Sequence, residues 1–100
     1  MSVVKFGQLE CVKQEDWNGN DDIYITINGK QVYSTEIGED GKRSINKSFR
    51  YEGDVARVRM YESDSLDDDD FLGEQIPLLG YGEMKFRQDG AYYTLTYELT

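Results

Sequence analysis

Ten of the twenty Asp and Glu side chains of this 100-residue chain fall in two short segments, residues 15–22 and 62–70. The first holds Glu15, Asp16, Asp21 and Asp22, and the second holds Glu62, Asp64, Asp67, Asp68, Asp69 and Asp70. Neither segment contains a Lys or an Arg. Like charges at this density repel one another and cost stability unless a cation sits among them. With no internal counter-charge, the cation comes from outside or the segments stay fully solvated. An oxygen-only donor set without His or a nearby Cys selects a hard cation. Calcium accepts about six to eight oxygens in irregular geometry, whereas magnesium prefers an octahedron and keeps its waters. A cage spread over two loops therefore suits calcium. The segment from Asp64 is not an EF-hand, because Asp69 stands where that loop needs Gly and Gln75 where it needs Glu.

Other chemistries are excluded or left without residues. The chain has no His, which removes Ser-His and Cys-His nucleophiles and the commonest proton shuttle. No Gly-rich phosphate loop is present. A pair of carboxylates flanking a cleft could serve a glycosidase, but acids packed this densely hold no dependable proton donor. We expect no enzyme. A net charge of −9 without a basic stripe argues against nucleic acid. The single cysteine, Cys11, forms no internal disulfide and lies in an alternating apolar run, as a buried thiol does. No apolar run of about 18 residues offers a membrane span. No charged-then-apolar leader opens the sequence, so the expectation is a soluble protein, cytoplasmic or exported without a leader.

The elements that must position these acids are short strands. Val4 and Phe6 share one parity, and Leu9 and Cys11 share the other, with Gly7 between them, which predicts a bulge or register shift at the glycine. Ile23, Ile25 and Ile27 alternate with Tyr24 and Thr26, and Asn28-Gly29 follows at once, the strongest short hairpin signal. The return strand spans about 30–35. Glu39-Asp40-Gly41 marks a turn. Strands at 44–51 and 55–61 flank Glu52-Gly53-Asp54, with Ala56, Val58 and Met60 opposite Arg57 and Arg59. A short strand covers 71–77, and a last hairpin pairs 83–87 with 91–99 around Asp89-Gly90. With no helical period, repeat or linker, residues 1–100 form one all-β domain, an antiparallel eight-stranded sandwich.

The spacing within both acidic segments resembles the C2 domain, the calcium- and phospholipid-binding β-sandwich. That family's first loop carries two Asp six residues apart, the second followed by x-Tyr-Val. Here Asp16 and Asp22 have that spacing, followed by Ile23-Tyr24-Ile25. Its third loop reads Asp-x-Asp, then an Asp six residues on that leads into Phe-x-Gly. Here Glu62-Ser63-Asp64 is followed at that interval by Asp70-Phe71-Leu72-Gly73. The resemblance implies Asp16, Asp22, Glu62, Asp64 and Asp70 as calcium ligands, with Glu15, Asp21 and Asp68 as additional donors and one to three ions held. It also implies Trp17 and Leu66, at the loop tips, as contacts to a membrane or partner. The chain departs from the family in four ways. Glu62 replaces an Asp, the chain is short, no lysine-rich strand is present beyond Lys30-Gln31-Val32-Tyr33, and Asn-Pro-x-Trp is missing before the third loop.

Two purposes for the calcium stay open. One is calcium-dependent binding of a protein, glycan or membrane surface; Asp67, Asp68 and Asp69 at the tip disfavour strongly acidic lipid. The other is a calcium-stabilised structural or adhesion module that binds no lipid. A third reading is a plain sandwich interaction domain whose acidic loops are solvated surface.

Overall fold

A computed structural model of the chain describes residues 2–14, 19–63 and 68–100. It is all β. Eight strands follow one another: β1 Ser2–Lys13, β2 Asp21–Ile27, β3 Lys30–Ile37, β4 Lys42–Tyr51, β5 Val58–Glu62, β6 Asp70–Gln75, β7 Gly80–Phe86 and β8 Tyr92–Leu99. They form two four-stranded antiparallel sheets, ordered β4-β1-β8-β7 and β3-β2-β5-β6. The parities read for β1, β2 and β5 meet residues of β8 in one core, in which Val4, Phe6, Leu9, Ile23, Ile25, Val58, Met60, Tyr93 and Leu95 are fully or almost fully buried.

Local chemistry explains the register. Phe6 pairs with Lys47 in β4 and Gln8 pairs with Ser44, so the ladder slips at Gly7 as the parity switch predicts. A Cβ at Gly7 would lie 2.6 Å from Thr96 Oγ1, which instead accepts the Gln8 N–H at 2.8 Å. Asn28 and Gly29 both have positive φ, 51° and 86°, as a two-residue hairpin turn requires.

Strand ends move by up to two residues from their sequence-based bounds, and the larger departures, of three residues, are the starts of β5 and β7. Residues 55–57 lie outside β5, because Asn28 takes up their backbone. Its N–H donates to the Arg57 carbonyl at 3.1 Å, and its side-chain oxygen accepts the Arg57 N–H at 2.8 Å. β7 begins at Gly80 rather than Glu83, because Gly82 faces Tyr97 across the ladder and the ring supplies the packing the glycine lacks.

Because every strand reverses the last, the connections alternate between two ends. Those after β1, β3, β5 and β7 lie at one end, and those after β2, β4 and β6 lie at the other with both chain termini. The described residues of both acidic segments, 19–22 and 62–63 with 68–70, are thereby placed at the same end. The 38–41 turn joins them there and adds Glu39 and Asp40.

Candidate metal centre

The two acidic loops leave from neighbouring strands. β2 and β5 pair so that Ile23 lies opposite Glu62, and the Ser63 N–H donates to the Asp22 carbonyl at 2.8 Å, one step beyond that pair. On the far side of β5, Glu62 lies opposite Asp70. Glu62 shares the inward parity of Val58 and Met60 and is only 5% exposed. Two acidic residues are therefore directly opposed across one antiparallel pair at the mouth of the sandwich, a placement in which like charges repel.

Strand parity divides the acids of the first segment. Asp21 shares a face with Ile23 and Ile25 and is fully buried. Tyr93 of the opposite sheet donates its hydroxyl to Asp21 Oδ2 at 2.5 Å. Burial, that bond and the neighbouring Cys11 push the Tyr93 phenol far up from its ordinary value. Burial also raises the Cys11 thiol, against a smaller opposing effect of its hydrogen bond to Tyr93, so this cysteine stays protonated. Asp22 is exposed on the other face. With Ser63, Tyr24 and Asp69 it lines an outer cleft of about 540 Å³.

Asp69 is not among the ligand positions that the sequence implies. The Tyr24 hydroxyl donates to its Oδ2, tying the end of the second acidic loop back onto β2. Burial first, and then the Asp69 carboxylate, push the Tyr24 phenol up to about 12. A signal for this tie exists in the sequence, since Tyr24 sits two residues past Asp22 on the same parity. The first loop is tied to the 38–41 turn as well. Gln14 Nε2 donates to the Gly19 carbonyl, and its Oε1 accepts the Glu39 N–H at 2.9 Å. The Asn20 amide donates to Glu36 at 3.2 Å.

Glu62, Asp70, Asp21, Asp22 and Asp68 are thus at one end, the first two directly opposed and Asp68 exposed two residues before Asp70. Glu15, Asp16, Trp17, Asp64 and Leu66 lie outside the described residues. Among the described residues no three carboxylate or thiol groups converge as a metal cage. The donor chemistry present fits a hard cation: every accessible group is an oxygen, and the one thiol is buried and protonated.

The sequence matches no protein-family model and no curated protein. Solved structures match the fold. The chain superposes on a C2 domain with a TM-score of 0.55 at 16% identity, over 99% of this chain and 96% of that one. The fold is that of a C2 domain. A C2 domain of a plant extended synaptotagmin gives 0.55 at 9% identity, covering 99% of this chain and 92% of the other. The human GIVD cytosolic phospholipase A2, solved with methyl gamma-linolenyl fluorophosphonate and terbium chloride, gives 0.58 at 16% identity. That match covers 98% of this chain but 17% of the phospholipase, so the matched region is a small part of it. At these identities the likeness is one of fold.

Proposed function

We propose that this C2-like domain binds calcium between its two acidic loops and uses the bound ions to engage a protein, glycan or membrane surface. The observation that carries the reading is the Ser63–Asp22 backbone bond, which joins the stems of both loops beside the opposed Glu62 and Asp70. Asp16, Asp22, Glu62, Asp64 and Asp70 would hold one to three ions, with Glu15, Asp21 and Asp68 as further donors. Calcium would supply positive charge, offset the repulsion among these carboxylates and fix the loops. Trp17 and Leu66 would then meet the partner. Asp21 is the least suited of the set to an ion, since Tyr93 already occupies one of its oxygens.

The reading of a calcium-stabilised adhesion module draws support from the outer face of the same sheet. Tyr24 and Tyr61 stack there at 5.0 Å and 15°, and Phe71 packs on Tyr61 at 5.5 Å. This aromatic row runs beside Asp69 and suits a protein or glycan contact.

The test is a calcium titration of EDTA-stripped protein followed by Trp17 emission, with magnesium as the control and Asp70→Asn as the damaged site. A saturable calcium response that is absent in the variant supports the reading. A terbium titration gives an independent signal, through luminescence sensitised by Trp17 and the nearby tyrosines. No response to millimolar calcium, with an unchanged melting temperature, rejects the reading and leaves the loops as solvated surface. Liposomes added to the calcium-loaded protein separate a membrane partner from the others.

A further inference from the structure

Leu78, Leu79 and Tyr81 are 76%, 82% and 84% exposed, and they sit together at the end of the sandwich opposite the acidic loops. Their exposure is built into the connection between β6 and β7. Pro77 is buried, the Leu78 N–H donates to the Tyr97 hydroxyl at 3.1 Å, and Gly80 turns the chain with φ 99°. The connection is pinned on both sides of the two leucines, which are held in water. A contiguous exposed apolar tip marks an interaction surface.

The tip leads directly into β7, an edge strand of its sheet. An edge offers a row of backbone donors and acceptors to another strand, and here that row ends at Phe86, because the Gln88 N–H already donates to the Leu72 carbonyl of β6 at 3.0 Å. Its outward side chains are Tyr81, Glu83 and Lys85, all exposed, with Arg87 just beyond. This series is self-complementary. Antiparallel pairing centred on Met84 sets Glu83 of one copy against Lys85 of the other, twice by symmetry. It also sets Tyr81 against Arg87 and Gly82 against Phe86. Shifting the centre to Glu83 would set Glu83 against itself, which is unfavourable.

Charge selects the antiparallel sense as well. The acidic loops gather at one end of a molecule whose longest extent is 41 Å. Parallel association would bring two such ends together. Antiparallel association keeps them at opposite ends of the assembly, beyond the screening length of about 10 Å at 0.1 M salt.

We propose that the β7 edge docks a second copy of this chain, joining two four-stranded sheets into one through a twofold antiparallel β7–β7 ladder. The Leu78–Leu79 tip of each copy then lies alongside the 87–91 turn of the other and leaves water in part. The contact is isologous, so it closes at two copies and does not propagate. It uses no residue of the acidic loops and forms with or without calcium.

Sedimentation velocity of the full chain in EDTA, over a rising micromolar concentration series, tests this directly. The mass should move from 11.6 kDa toward twice that value. Lys85→Glu sets a carboxylate against Glu83 at both symmetric contacts and should weaken the dimer by about tenfold or more. The swapped pair Glu83→Lys with Lys85→Glu restores the complementarity and should restore the dimer. Lys47→Glu on β4 makes the same net-charge change away from β7 and should leave association intact. All three positions are exposed, and circular dichroism checks that the fold is unchanged. A monomer throughout the series overturns the proposal, including one whose tip instead binds lipid vesicles. So does a dimer that ignores Lys85→Glu or fails to return with the swap.

Discussion

Tyr93, from the last strand of one sheet, donates its hydroxyl at 2.5 Å to the carboxylate of Asp21, the first residue of β2 in the other sheet. Both residues are fully buried. The bond spans the sandwich just beneath the acidic loops and fixes where the first loop rejoins the fold. Tyr93→Phe keeps the ring and removes the donor, leaving a buried carboxylate short of one partner. The expected loss is about 1–3 kcal/mol of unfolding free energy, measured as the denaturant midpoint. The melting temperature should fall by roughly 4–8 °C for each kcal/mol.

Tyr24 makes stability depend on alkaline pH. Its phenol is raised from an ordinary 10.0 to about 12, by burial and by its bond to Asp69. The neutral form is thus favoured in the folded state. Its contribution is fully present below about pH 10 and is lost as the pH climbs through about 12. Denaturation midpoints measured across this window should fall steadily. In Tyr24→Phe the fall should be shallower, though still present, because Tyr93 is raised in the same direction.

Much of this arrangement is legible in the sequence because it follows from local periodicity. Ile23, Ile25 and Ile27 announce β2, Asn28-Gly29 its turn, and Gly7 the slip in β1. Once eight reversing strands are counted, both acidic segments must fall at one end. What the sequence conceals is long-range. The Asp21–Tyr93 bond joins residues 72 apart, and nothing at either position names the other. Family spacing points to Asp22, whereas the parity of Ile23 and Ile25 already implies that Asp21 is the one turned inward. The start of β7 is hidden for a related reason. Gly82 carries no apolar signal of its own, and its packing is supplied by Tyr97 from the neighbouring strand.

That packing is testable. A Cβ at Gly82 would lie 2.5–2.9 Å from the Tyr97 phenol oxygen and ring carbons, closer than atoms approach without a shift. Tyr97 also holds the Leu78 N–H, so moving the ring loosens the connection before β7. Gly82→Ala should cost about 1–3 kcal/mol through overpacking. Amide exchange at Leu78 should quicken more than at residues of β5, on the other sheet. Equal changes at both places would mean that the ring does not hold the connection.

The opposed pair Glu62 and Asp70 makes a prediction with two signs. In calcium-free protein their repulsion works against the fold. Asp70→Asn should therefore raise apo stability, by about 0.2–1 kcal/mol for a like-charge pair directly opposed. In the proposed calcium-loaded state the same carboxylate is a ligand, and its removal should abolish the gain that calcium gives. For the unaltered chain that gain is about 2.7 kcal/mol at one hundred times the dissociation constant. Melting curves in EDTA and in millimolar calcium should thus cross, with the variant higher without the ion and lower with it. If the variant is higher in both conditions by the same amount, the pair is repulsive but holds no metal. If it is lower in EDTA, Asp70 supports the fold by another contact and the repulsion argument fails.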